Sequence, residues 1–477
     1  MDGQETREKI NRRNFLHSAA AAGAGLAFSR SPSAQGNCGK KTDDINVALL
    51  GAGSQGHVLL NACRRIPGIR FKAVCDIWTA FNQKRVSRML KAYHHEHNTY
   101  TDYREMLDRE KDLDAVIVAT PDFWHSPHTV ACLEAGLHVY CETAMSNTIE
   151  GAWKMVKAAR RTGKLLQIGC QRRSNPRYLY CYDKLLKGRK VLGRIAAVLG
   201  QWNRVVGGPM GWPRNASLDR ATLERYGYES MAQFRNWRWY RGLGGGPVVD
   251  LGSHQIDVFN WFLGANPSSV MASGNTSHLD KKTHQWYDTV MAVYEYETDQ
   301  GPVSAYYQIL SSNRDGGYFE KFMGDRGTLE VSEVANRAMV FPELINPGNK
   351  VWARCVKEGC LVGPDEMMKM IEELTVEQVA RLFFVAESLP IPQIHNVRNP
   401  VKGTIWPANR RVLTLPVEMN KPYHQPHLEN FFDAIRGRAQ LNCPAEVGYE
   451  TAVAVLKVNE AVAAARKLSF EPEDFKV

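Results

Sequence analysis

A glycine-rich turn caught between an apolar strand and an amphipathic helix constrains this chain more than any other feature. Ile45-Asn46-Val47-Ala48-Leu49-Leu50 reads as a buried strand. Gly51-Ala52-Gly53-Ser54-Gln55-Gly56 follows at once and runs into a segment with Val58, Leu59, Leu60, Cys63 and Ile66 at helical spacing. The next apolar run, Phe71 to Cys75, ends in Asp76, twenty residues beyond Gly56. Each part has a physical task. Gly51 permits the tight turn, Gly53 lets a pyrophosphate approach the backbone, and Gly56 lets helix and strand pack closely. Amides at the helix start, with Ser54 and Gln55 among them, face the phosphates. Asp76 accepts hydrogen bonds from the adenosine ribose and repels a 2′-phosphate, so the pattern predicts NAD rather than NADP.

From Ile45 onward short apolar strands alternate with helices, the pattern of a parallel sheet covered on both faces. Beyond about Gln171 it changes to alternating strands, such as Ile195 to Trp202, Thr289 to Tyr296 and Val303 to Ile309. The expected fold class is α/β: an amino-terminal Rossmann domain over 42–170, then a carboxy-terminal α+β domain over 171–477 with an open, mainly antiparallel sheet. Within it, Asp365 to Ala386 reads as a helix and 361–425 as an insert or arm. A chain of 477 residues with 44% apolar and 23% charged residues suits such a multidomain globular protein and excludes disorder and collagen. The net charge of +10 includes +4 from residues 1–41, and the body has no basic run, so nucleic acid is not an expected partner. No apolar stretch approaches the ~18 residues of a membrane span.

Residues 1–41 differ in kind. Asn11-Arg12-Arg13-Asn14-Phe15-Leu16-His17 sets paired arginines before an uncharged Ala/Gly-rich run from Ser18 to Phe28, the outline of a twin-arginine export signal. The expectation is a periplasmic protein, its signal cleaved near residues 30–40. That route carries folded proteins, so the cofactor would travel tightly bound. The ten cysteines form no CxxC pair, and Cys355 and Cys360 are near enough in sequence to leave a disulfide open.

Ala119-Thr120-Pro121-Asp122-Phe123-Trp124-His125, together with Ala135 to Glu142, Leu166 to Arg173, Gly244 to His254 and His427 to Gly437, resembles the glucose-fructose oxidoreductase, inositol dehydrogenase and MocA-type (Gfo/Idh/MocA) family. The resemblance covers nearly everything after residue 44. It implies a cofactor site that also takes in Thr120, Pro121, His125, Glu142, Thr143 and Gln171, and a sheet face used for homo-oligomer formation. Relatives read Glu-Lys-Pro where this chain has Glu142-Thr143-Ala144, so the usual lysine is missing.

The triple glycine Gly244–Gly246 precedes Asp250 and His254, spaced i, i+4 and therefore on one helix face. The resemblance makes them the catalytic pair, His254 as general base, because imidazole titrates near neutrality and a carboxylate can orient it. Asp257 extends that face and would hold the second ring nitrogen. Trp237, Arg238, Trp239 and Tyr240 suit a carbohydrate pocket, with rings that stack on sugars and a guanidinium that donates paired hydrogen bonds. Arg172 joins them as a substrate-binding candidate, and Tyr240 as a further catalytic one. No metal site is expected: His94, His95 and His97 read as a solvated cluster. The leading function is an NAD-dependent oxidoreductase acting on a sugar, glycoside or cyclitol. The alternatives are a redox-cycling glycosidase and a non-catalytic sugar- or nucleotide-binding protein.

Overall fold

The computed structural model describes residues 43–334, 337–343, 349–363 and 412–477. The export signal, Cys38 and the helix expected from Asp365 to Ala386 lie outside them. The first sheet begins with β1 (Ile45–Leu50), whose six residues are all buried, and the glycine turn leads into α1 (Ser54–Cys63). β2 (Ile69–Cys75), β3 (Asn98–Tyr100), β4 (Ala115–Val118), β5 (His138–Cys141) and β6 (Leu166–Ile168) complete six parallel strands in the order β3-β2-β1-β4-β5-β6. Helix α2 (Asp122–Glu134) joins β4 to β5. The strand order reverses between β1 and β4, where Val47 pairs with Ala115 and Leu50 with Val118. Connections leave these two strands toward opposite faces, so a crevice opens at their carboxyl ends.

Among the described residues the second sheet has nine strands, in the order β14 (Leu413–Thr414), β13 (Ala338–Pro342), β12 (Gly327–Val331), β11 (Tyr318–Gly324), β7 (Ile195–Asn203), β10 (Gly301–Leu310), β9 (Thr289–Thr298), β8 (Pro267–Asn275) and β15 (Leu468–Ser469). Only β7 (Ile195–Asn203) against β10 (Gly301–Leu310) is parallel; the other pairs are antiparallel, as the alternating patterns predicted. β9 (Thr289–Thr298) shows why one face is covered: Val290, Ala292, Tyr294 and Tyr296 are fully buried, while Met291 and Val293 between them face outward. The inner face receives α3 (Gly246–Leu263), which starts at the last of the three glycines and is buried nearly all round. It lies between that sheet and the long carboxy-terminal helix Ala445–Ala464. Gly246 takes φ +75° against the Trp286 ring, a conformation open to glycine.

Leu428, Phe431 and Phe432, on the helix Gln425–Ile435, pack into the cluster under β1 with Val47, Leu49 and Leu60. The chain's last segment thus returns to finish the core of the first sheet. Cys355 and Cys360 are buried free thiols, with the Cys360 N–H donating to the Cys355 carbonyl at 2.8 Å.

Candidate active site at the sheet reversal

The crevice is built from its glycines. Gly51 sits at φ +96°, and a Cβ there would lie 2.5 Å from the Ala119 carbonyl oxygen; one on Gly56 would lie 2.0 Å from that of Gly51. At Gly53 the nearest atom is 3.8 Å away, so its outer side is open, as a phosphate approaching the backbone requires. Asp76 closes one end. Its Oδ2 accepts from the Ala52 N–H (2.7 Å) and Asn82 Nδ2 (3.3 Å), and Oδ1 from the Trp78 N–H (2.7 Å). Burial raises its pKa while these donors pull it down. Oδ1, with a single donor, keeps acceptor capacity for a ribose hydroxyl.

From Asp76 the cleft runs past Gly51, Gly53, Ser54 and Gln55 to Thr120, Pro121, His125, Glu142 and Thr143. Its opposite wall comes from the segment between β7 and α3, through Met210, Tyr226, Tyr228, Phe234, Trp237 and Arg238. These residues fit a dinucleotide: glycine backbone for the phosphates, a carboxylate for the ribose, apolar walls for the rings. Gly56 supports the turn from below. Gln55 donates from Nε2 to the His424 Nε2 at 3.0 Å, which ties the turn to the chain's return segment.

His125 clamps two of the cofactor-facing turns. Nδ1 lies 2.7 Å from the Ala144 carbonyl oxygen and Nε2 2.7 Å from that of Thr120, and only the imidazolium donates from both nitrogens. Burial opposes that charge, but Cys141 and the two carbonyls outweigh it and raise the pKa. The clamp is therefore complete below the unfolded histidine value of about 6.5 and fails as pH rises through the higher folded value. His125→Ala is expected to cost about 2–4 kcal/mol in thermal denaturation at acidic to neutral pH, the scale of two buried hydrogen bonds. The difference from the parent should narrow at alkaline pH.

Asp250, His254 and Asp257 share one face of α3, as predicted, but have three different environments. Asp250 Oδ1 accepts from Arg238 Nε at 3.2 Å, and the Arg238 guanidinium lies 4.3 Å from the Trp237 ring. The His254 ring stands 5.9 Å from that of Trp202, which stacks on Tyr318 at 4.6 Å. Its Nδ1 is buried without a hydrogen-bond partner among the described residues. Burial, then the Arg172 guanidinium, push its pKa down to about 3, so the imidazole is neutral at any ordinary pH.

Four expected roles are corrected. Asp257 does not hold the His254 ring: both its oxygens accept from Arg173 Nε at 2.9 Å, and Oδ1 also accepts from Thr451 Oγ1 at 3.0 Å. Arg172 is not a substrate ligand, because it is 1% exposed and ion-paired to Glu320 and Glu333. Gln171 turns from the cofactor cleft and donates to Glu333 Oε1 at 3.1 Å. Tyr240 does not line the cleft; it packs on the apolar cluster of Trp78, Leu223, Tyr228 and Trp237, which also absorbs Trp237's buried side. The residues missed from sequence are Asn82, Asp122 and the wall from Met210 to Phe234. For Asp122 the signal was present in the Thr-Pro-Asp turn; the wall has no motif.

In the histidine cluster His94 is exposed, as expected, while His95 Nδ1 accepts from the Phe71 N–H at 3.3 Å and His97 Nε2 lies 2.7 Å from Ser87 Oγ. Cys170, Asp257 and Cys443 bring ligand atoms within 4.8 Å of one another. The Arg173 guanidinium already occupies that carboxylate and repels a cation.

The sequence pattern of an oxidoreductase family with an NAD-binding Rossmann fold matches residues 45–170, and that of its C-terminal alpha/beta domain matches 220–349. A glycosyl hydrolase family 109 protein of Shewanella baltica is 33% identical over 175 residues, and an alpha-N-acetylgalactosaminidase of Shewanella oneidensis 31%. Each match spans 32% of this chain and only 38% of the relative. Among solved structures, the WlbA dehydrogenase of Bordetella pertussis, in complex with NADH and UDP-GlcNAcA, superposes with a TM-score of 0.61 at 16% identity, covering 90% of this chain and 99% of that one. The aldose-aldose oxidoreductase of Caulobacter crescentus gives 0.61 at 16%, covering 90% and 100%. At such identities the likeness is one of fold.

Proposed function

The chain belongs to the Gfo/Idh/MocA oxidoreductase family, and from that premise we propose that it is an NAD-dependent enzyme oxidising or reducing a hydroxyl or keto carbon of a sugar, glycoside or cyclitol. The observation that carries this reading is the continuity of one cleft, from the Gly51 turn and Asp76 to Thr143, Trp237 and Arg238, with Arg238 bonded to Asp250 on the helix of His254. The cofactor supplies a hydride acceptor or donor. The protein's own part is orientation and proton handling. Trp237 and Arg238 suit a ring and its hydroxyls; Asp250 suits a hydroxyl donor; the neutral His254 accepts a proton or hydrogen bond at the reacting oxygen. Thr143, where relatives carry lysine, offers a hydroxyl that donates or relays but holds no charge.

A second reading, redox-cycling glycoside hydrolysis, draws support from the family 109 relatives. Oxidation to a keto sugar acidifies the neighbouring C–H, the glycosidic bond eliminates, water adds, and the hydride returns. A panel of glycosides and cyclitols assayed for keto product and for released aglycone, with and without added NAD, separates the two. Keto product rising with added NAD supports the first; aglycone release without added NAD supports the second. Cofactor binding without either product would reduce the protein to a binding function.

Two further features belong to this reading. The paired arginines at Arg12 and Arg13 support periplasmic export of the folded protein; replacing both with lysine should hold it in the cytoplasm, and undiminished periplasmic protein would defeat that assignment. On the outer sheet face Met271 is 53% exposed and Met291 41%, beside Val293, an apolar patch suited to a homo-oligomer contact. Methionine-to-lysine changes there should lower the mass measured in solution.

A further inference from the structure

Asp122 begins α2 at the point where the Thr120-Pro121 turn leaves the cofactor cleft, and it is 2% exposed. The Gly245 backbone amide lowers its pKa. Oδ2 is buried without a hydrogen-bond partner among the described residues. The residue lines the end of the cleft shared by Thr143 and Arg238, away from the ribose end at Asp76. Arg238 donates from Nε to Asp250 Oδ1 at 3.2 Å, and its charge acts on Asp122 as well. Asp122 therefore shares the Arg238 guanidinium with Asp250, whose carboxylate already holds its Nε. A buried carboxylate oxygen with no donor is strongly unfavourable, so a proton or a cationic ligand must complete the group.

Resting on the NAD reading above, we propose that Asp122 is the proton-holding residue of the cofactor cleft, a carboxylic acid beside the reduced cofactor and a carboxylate beside the oxidised, positively charged one. Charge and atoms balance. Binding of NAD+ sends the Asp122 proton to solvent. When the sugar is oxidised, its hydride reduces the nicotinamide and its hydroxyl proton protonates Asp122, so the cleft's net charge is the same before and after.

Burial, and then the neighbouring Asp250, push the Asp122 carboxyl up to about 7 against the pull of Arg238 and the Gly245 N–H. The other groups nearby are His125 one turn along α2, Glu142 beyond β5, and Arg204 beyond β7, whose charge acts with those of Asp250 and Arg238. Glu142 is the competing proton holder, since burial raises its pKa too.

Calorimetric titration of the full protein with NAD+ and with NADH, in buffers of differing protonation enthalpy, counts the protons. The expected result is release of roughly one proton on NAD+ binding near pH 6, falling toward none near pH 8, and little release with NADH. Asp122→Asn should abolish the release while NAD+ still binds; Glu142→Gln should preserve it. Should Asp122→Asn fail to fold, Asp250→Asn serves instead. It leaves Arg238 to Asp122 alone, lowers that carboxyl's pKa, and should cut the release near pH 6 by more than half. NAD+ binding with no proton release, or with equal release from Asp122→Asn, overturns the assignment and leaves the cofactor reading standing. Failure to bind NAD+ or NADH overturns both.

Discussion

His254→Ala is expected to lower turnover by about a hundredfold or more, the scale of lost acid–base help, while leaving folding and NAD binding nearly intact. Its Nδ1 makes no hydrogen bond among the described residues, and without the ring Trp202 and Tyr318 still stack on each other. With Arg172 nearby and burial around it, His254 stays unprotonated, so a proton arriving from a hydroxyl must be passed on rather than stored. Asp250→Asn should cost less, because Arg238 can still bond to a carboxamide oxygen. Turnover of the purified variants on any substrate the parent accepts, with NAD affinity and melting temperature measured in parallel, checks both. Full turnover by His254→Ala would move the proton acceptor elsewhere.

The second large effect is on stability. Arg172→Met should destabilise the fold by about 3–5 kcal/mol, because it leaves two buried carboxylates without their counter-charge. Arg172 Nε donates to Glu333 Oε2 at 3.2 Å, Nη1 pairs with Glu320, and Tyr178 donates its hydroxyl to Glu320 Oε2 at 2.6 Å. Burial drives the Glu320 carboxyl up to about 7 even with the arginine present. For Glu333 burial pushes the same way, yet Arg172 and its neighbours win and hold it below the ordinary range. Without Arg172 both folded values rise above the unfolded ones. The folded variant then binds more protons than the unfolded chain, so its stability falls as pH rises past the ordinary glutamate value of about 4.3. Denaturant unfolding near pH 5 and pH 8 should show the smaller deficit at pH 5. Equal deficits at both would mean that packing, not charge, sets the cost.

What the sequence made legible, and what it hid, follows from the range of each interaction. The strand, glycine turn, helix and Asp76 are fixed by spacing within about thirty residues, and Gly51, Gly53 and Asp76 stand where that spacing put them. That Asp250 and His254 share one helix face was legible for the same reason, since helical periodicity is local; that neither is among the residues lining the cleft was not. Gln171, Arg172 and Asp257 were misread because their neighbours in sequence say nothing of their partners. Glu320 and Glu333 lie about 150 residues from Gln171 and Arg172, and only the pairing of β11 (Tyr318–Gly324) with β7 brings Glu320 close. Tyr240 was drawn toward the site by the adjacent Trp237 and Arg238, but the backbone turns between them and its ring joins the apolar cluster. The wall from Met210 to Phe234 joins loops to the short helices Arg220–Arg225 and Met231–Arg235, and its side chains meet the cleft through tertiary packing alone.

Hydride transfer between a sugar carbon and NAD is the reaction we propose for this cleft. The most direct measurement follows deuterium from a sugar or glycoside, labelled at the candidate carbon, into the nicotinamide of the protein-bound cofactor by mass spectrometry after a single turnover. Labelled nicotinamide is expected with the parent protein and with Arg12 and Arg13 replaced by lysine, and none within the same interval with His254→Ala. Substrate conversion by the parent with the deuterium never appearing on nicotinamide would contradict it.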